Sequence, residues 1–404
     1  MSKARAEAEA PRATATPFES VALLLQGGGA LGAYQGGVYQ ALSEHGIEPS
    51  WVAGISIGAI NSAIIAGNAP ADRVGKLRAF WEFASAETAG WSGWTDWLPG
   101  FTDNAMLRSF ADQFAAGGVA IGGVPGFFTP RFPPPPLQPN GTPAAISWYD
   151  TSKLKPTLEG LVDFDRINAK TMRFSVGAVN VRTGNFAYFD NATDIIRPEH
   201  VMASGALPPA FPPVEIDGEQ YWDGGMVSNT PLDWVLSAPS KLDTLIFQVD
   251  LWSASGMLPT DLASVAERMK EIQYSSRTRA ATDQFRARQT MRATFQRLLA
   301  QLPPELAASA EAKLLAEASD PAACNIIQLI YHSPTYEGQA KDYEFSRQAM
   351  EEHWRAGHRD AKRALEHPEV LQLPAEPSGV AVFDFSRKQD PASDAPAKSM
   401  KEAK

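Results

Sequence analysis

The chain of 404 residues has a single cysteine, Cys324, which excludes an internal disulfide and any metal site built on paired thiolates. A lone cysteine reads most simply as a small buried apolar side chain. The six histidines, His45, His200, His332, His353, His358 and His367, form no His-Glu-x-x-His pattern and no close spacing with acids, so no metal and no other cofactor is expected. Positive charge is also short: 36 Lys and Arg stand against 46 Asp and Glu, a net −10 that argues against a nucleic-acid partner. No run of about 18 apolar residues occurs, so no transmembrane helix is expected. Residues 1–17 have no apolar stretch of the signal-peptide kind and read as a disordered tail; residues 387–404 read as a second. Together these absences point to a cytoplasmic protein that meets a membrane at most peripherally, of unassigned oligomeric state. With 44% hydrophobic and 20% charged residues the chain can bury one large core or two moderate ones.

What is present is concentrated in a few short motifs. An apolar run from Trp51 reaches Gly54-Ile55-Ser56-Ile57-Gly58 and breaks into a small-residue helical pattern, the signature of a nucleophile elbow. A serine on a sharp strand-to-helix turn projects its hydroxyl clear of the backbone, and the flanking Gly54 and Gly58 avoid clashes there. Ser56 is therefore the candidate nucleophile. Earlier, Gly27-Gly28-Gly29 follows the apolar run Val21 to Leu25 and opens a second helical pattern. Exposed N–H groups at such a junction can hold an oxyanion. Gly27, Gly29 and Gly32 also satisfy a dinucleotide fingerprint, but that fold wants an acid at the end of the second strand. This strand ends in Gly54-Ile55-Ser56, and Glu48 precedes it.

A third element is Trp222-Asp223-Gly224-Gly225, after a turn at Asp217-Gly218 and before Asn229-Thr230-Pro231, which reads as an N-cap and first-turn proline. Just upstream, Ser204-Gly205-Ala206-Leu207-Pro208-Pro209-Ala210-Phe211-Pro212-Pro213 is too proline-rich for regular helix or central strand.

In this order the motifs resemble the patatin-like phospholipase family, over roughly residues 20 to 255, with Asp342 to Leu365 similar to a C-terminal extension of unassigned function in a bacterial subgroup. The resemblance implies a three-layer α/β sandwich with a mostly parallel central sheet. It also implies a Ser56/Asp223 catalytic dyad, an oxyanion hole in the Gly27-Gly28-Gly29 run, and supporting roles for Gly54, Gly58, Gly224 and Gly225. The implied substrate is a lipid carboxylester, phospholipid or lysophospholipid. Leu31 departs from the family's usual Arg or Lys, so the role of that cation does not carry over.

The chemistry can be argued from the residues as well. A serine hydroxyl needs a base within hydrogen-bond reach and donors where negative charge develops. Asp223 can serve only if desolvated, because a solvated carboxylate is a poor proton acceptor; Trp222 and Phe211 are candidate apolar neighbours. The alternative is a triad ending in His332, after the apolar run Ile326 to Tyr331. Acyl transfer at the same site, or a non-catalytic lipid- or protein-binding scaffold, are the rival functions. The intact serine, aspartate and glycine run argue against the scaffold.

Strands are predicted at Val21 to Leu25, Trp51 to Ile55, Met172 to Val181, Phe186 to Phe189 and Leu245 to Val249, with Arg182-Thr183-Gly184-Asn185 as a hairpin turn. The domain reading is a catalytic unit over 18–255 and a mainly helical C-terminal extension over 256–386 packed on it. Within the first, residues 90–150 hold Trp91, Trp94, Trp97, Phe101, Phe127, Phe128 and Phe132 among prolines and glycines. They read as an active-site cap or as a satellite core, with equal weight. Residues 261–301 show helical spacing of Leu262, Val265, Ala266, Met269 and Ile272, and a local basic excess read as a solvated face in preference to an anionic-lipid contact. Met350, Trp354, Ala361 and Leu365 give the final helix an apolar core stripe.

Overall fold

The computed structural model describes residues 16–86, 122–238, 242–275, 278–319, 322–333, 340–376 and 378–385. The strands are β1 (Ser20–Leu25), β2 (Trp51–Gly54), β3 (Thr129–Pro130), β4 (Tyr149–Asp150), β5 (Arg173–Asn180), β6 (Phe186–Asp190), β7 (Val214–Ile216), β8 (Glu219–Asp223), β9 (Thr244–Asp250), β10 (Cys324–Ile330) and β11 (Val380–Asp384). Nine of them form one mixed sheet in the order β11-β10-β9-β1-β2-β5-β8-β7, with β6 on the other edge of β5; β3 and β4 pair separately. The pairs from β11 through to β5 are parallel, while β6 and β8 pair antiparallel with β5 and β7 pairs antiparallel with β8. This is the α/β sandwich with a mostly parallel sheet expected from the motifs.

Parallel strands buried on both faces read as continuous apolar runs, and β1 is such a run. Val21, Leu23 and Leu25 enter one core, together with helices α1 (Ala33–Glu44), α2 (Ile57–Ala66) and α3 (Pro70–Ala84). Ala22 and Leu24 enter the other, with α5 (Leu232–Ser237) and Phe285 of α7 (Thr278–Leu299). Between them in sequence lie α4 (Pro198–Ser204) and α6 (Leu262–Tyr274), and α8 (Arg347–Leu365) closes the first face. Met350, Trp354 and Ala361 of α8 are buried there, as the stripe predicted.

The C-terminal segment is not only helical. β10 and β11 extend the central sheet beyond β9, in register from Cys324 beside Thr244 and Val380 beside Cys324. The segment 256–386, expected to be mainly helical, thereby also supplies two strands to the sheet that bears the site. The stretch 261–301 is two helices, α6 and α7, and Leu262, Val265, Met269 and Ile272 on α6 face outward. Helix α8 lies directly on α1: a Cβ at Gly37 would strike the Trp354 carbonyl, and one at Gly357 the Tyr34 carbonyl. Gly357→Val should therefore destabilise the fold by about 3 kcal/mol, since neither backbone can give way. A melting temperature equal to the parent's would refute that close packing.

In the span 90–150, Trp91, Trp94, Trp97 and Phe101 lie outside the described residues, as do residues 1–15 and 386–404. Phe127 and Phe128 are described and buried, in a ring cluster with Tyr149, Phe211 and Phe345. These two belong to the main buried core, with Tyr149 and Phe211 packed against it. Phe132, in contrast, is almost fully exposed.

Candidate active site

The register of β5 explains why two distant side chains meet. Its residues 173–176 pair with β2 and its residues 178–180 with β8, while β6 occupies the opposite edge. β2 and β8 therefore abut end to end along one side of β5. Where β2 leaves the sheet after Gly54, β8 arrives with Asp223 opposite Ala178. Ser56 follows the first and Asp223 ends the second.

Ser56 has φ 56° and ψ −122°, a strained conformation for a residue with a side chain, and it caps α2 at the positive end of the helix dipole. The glycines around it are required by contact: a Cβ at Gly54 would collide with the Gly58 carbonyl, and one at Gly58 with the Leu25 carbonyl. Ser56 Oγ donates to Asp223 Oδ2 at 2.6 Å, and the other carboxylate oxygen accepts from Gly225 N at 2.7 Å. Asp223 is only 2% exposed. Burial pushes its carboxyl up to about 7, against the opposing pull of the Ser56 and Gly225 hydrogen bonds.

The proline-rich block holds both partners. Ser204 Oγ, fully buried, accepts the Ser56 backbone N–H at 3.0 Å and donates to Gly177 O at 2.7 Å. Two residues on, Ala206 O accepts the Asp223 N–H at 3.0 Å. The sequence marked this block as rigid and, from Ser204 to Pro212, as part of the family resemblance, but gave Ser204 no role of its own. Its signal was the small residues at 204–206 ahead of consecutive prolines.

In the glycine run, Gly27 differs from the expectation. Its N–H is taken by the Asn229 carbonyl at 3.3 Å, and its carbonyl accepts from Asn229 Nδ2 and Trp252 Nε1, each at 3.0 Å. Ala30 N–H goes to Asp342 O and Leu31 N–H to Gly28 O. Gly28 and Gly29 are left as the loop's backbone donors with no hydrogen-bond partner among the described residues. Asn229, read as an N-cap, instead uses its amide to anchor this loop, because Pro231 occupies the cap position of α5. Leu31 is fully buried in the core, so no charged side chain could stand there without rearrangement.

No histidine joins the pair. His332 is exposed and its Nδ1 lies against the Ile330 carbonyl; His358 and His367 meet Glu44 and Glu369; His45 meets Ala41 O; His200 meets the Arg197 N–H; His353 packs on Tyr331. Among the described residues no group of three or more His, Cys, Asp or Glu could hold a metal ion, and no helix is long and apolar enough to cross a membrane.

The fold and the pair define a class: an α/β protein with a serine on a strained elbow, a buried carboxylate against it, and a glycine loop with open N–H groups alongside. The model of the patatin-like phospholipases matches residues 23–236, over half of the chain, and the chain belongs to that family. A second model, described as patatin phospholipase, matches residues 272–376. Patatin-like phospholipases act on lipid esters. Among solved structures the chain is similar to VipD from Legionella pneumophila, at 16% identity and a TM-score of 0.39, covering 92% of this chain and 73% of that one. No curated protein matches.

Proposed function

We propose that the protein is a serine acyl hydrolase that cleaves a carboxylester of a phospholipid or lysophospholipid through an acyl-Ser56 intermediate. The observation that carries this is the 2.6 Å contact between Ser56 Oγ and a carboxylate that burial has made basic. Asp223 takes the serine proton as Oγ attacks the ester carbon, and Gly28 and Gly29 N–H receive the developing oxyanion. Asp223 then passes the proton to the leaving alcohol. In the second half it deprotonates a water that releases the fatty acid. The segment 256–386 is read as part of the same catalytic body, since its strands continue the sheet.

The pH dependence tests the role of Asp223. A base must be deprotonated, so kcat/KM for a short p-nitrophenyl ester should rise with pH around an apparent pKa of about 7 and be lost below it. An acid limb near 4 would mean a solvated base and would remove Asp223 from the mechanism. Fluorophosphonate labelling tests Ser56.

A further inference from the structure

The glycine loop is gripped from two sides by the C-terminal segment. At the end of α6, the Tyr274 carbonyl accepts Gln26 Nε2 at 3.1 Å and Asn229 Nδ2 at 2.8 Å. Both amides are also tied to the loop's surroundings. Asn229 donates to Gly27 O, and Gln26 Oε1 accepts the backbone N–H groups of Leu251 and Trp252 at 2.6 and 3.0 Å. From the other side, Asp342 O accepts Ala30 N–H at 2.8 Å and lies where a Cβ on Gly29 would be, at a position with φ 55°.

Opposed ion pairs join the two grips. Lys270 Nζ reaches the Asp342 carboxylate oxygens at 2.8 and 3.0 Å. The neighbouring Lys341 Nζ reaches Glu267 and Glu271 at 3.0 Å each, with its side chain only 3% exposed. Glu267, Lys270 and Glu271 share one face of α6 at i, i+3 and i+4. A lysine this buried is retained only when paired, so the pairing fixes where residues 341 and 342 sit. Lys341 Nζ also lies 5.4 Å from the ring centre of Trp252, whose Nε1 donates to Gly27 O.

We infer that Lys270, Lys341 and Asp342 are positioning residues of the reaction: their ion pairs hold the Tyr274 and Asp342 carbonyls on the loop and so fix the Gly28 and Gly29 N–H groups for the oxyanion. The inference rests on the hydrolase reading of that loop. A run of three glycines has wide conformational freedom, and oxyanion donors act only when held in place before reaction. The role of the C-terminal segment is then to stiffen the loop, acting through it and not on the substrate.

The test compares Lys270→Asp, Asp342→Lys, their charge-swapped double variant and Lys341→Met. Melting temperature is measured for each, and the rate of fluorophosphonate labelling at Ser56 and kcat and KM for p-nitrophenyl butyrate are then measured well below the lowest melting point. Each single variant should lose about 10- to 100-fold in kcat and labelling rate, with KM changed by less than about threefold. The charge swap should recover most of that loss. A lower melting point with kcat unchanged would overturn the inference, because the pairs would then only hold the fold. So would a swap as slow as its parts. If the reversals do not fold, Lys270→Met and Asp342→Asn carry the same expectation. A parent protein unlabelled at Ser56 would overturn the hydrolase reading and the inference with it; a labelled parent with unchanged variants overturns the inference alone.

Discussion

Ser56→Ala will abolish fluorophosphonate labelling and reduce ester hydrolysis to the uncatalysed background while the protein stays folded. In labelling, Oγ attacks phosphorus, fluoride leaves, and the proton goes to Asp223; among the described residues no other serine sits on a strained elbow against a buried carboxylate. The side chain is half-buried and contributes little packing, so its removal leaves the core unchanged. Ser56→Gly should be equally inactive yet melt higher than Ser56→Ala, because both lack the hydroxyl and only glycine relieves the strain at φ 56°. That comparison separates the backbone strain from the chemistry. An alanine variant that hydrolyses p-nitrophenyl esters at the parent rate ends the assignment.

The site was legible where its chemistry is written into consecutive residues. Gly54 to Gly58 and Gly27 to Gly29 stand out as short runs of consecutive residues, although only Gly54 meets its own turn, at the Gly58 carbonyl, while Gly58, Gly28 and Gly29 meet Leu25, Leu251 and Asp342; β1 must be apolar because both its faces are covered. Pairing over long range left no such mark. The apolar run Ile326 to Tyr331 drew notice only as the lead-in to His332, because nothing local says that β10 lies beside β9. Val380–Asp384 is five residues whose partner strand lies more than fifty positions back. Asn229 looked like a cap because Asn before Thr-Pro does form caps; its amide in fact bonds Gly27 and Tyr274, far away in the chain. The helical spacing of Leu262, Val265, Met269 and Ile272 correctly gave a helix face, but periodicity does not say whether a face is covered, and this one is exposed.

Asp223→Asn should lower kcat by on the order of 10³ with little change in shape. The amide oxygen can keep the Gly225 N–H, but the nitrogen facing Ser56 Oγ is a donor and takes no proton. His332→Ala should cost far less, since that ring is exposed and bonded to the Ile330 carbonyl. An equal loss at both positions, with folding preserved, would replace the dyad by a triad. Stability provides an independent reading of the same carboxyl. Its folded pKa, about 7, lies above its ordinary value of 3.8. Below pH 4 both folded and unfolded states hold the proton and there is no penalty. Between 4 and 7 only the folded state holds it, so stability falls as pH rises; above 7 the full cost of a buried charge applies, on the order of 4 kcal/mol. The asparagine variant carries no such charge, so it should match the parent near pH 4 and melt at a higher temperature than the parent at pH 8. A protein more stable but catalytically inert at alkaline pH is the outcome required if the buried carboxylate is held at the expense of the fold for its basicity. A variant that melts below the parent at pH 8, with the same gap at pH 4, would show that Asp223 is there for structure.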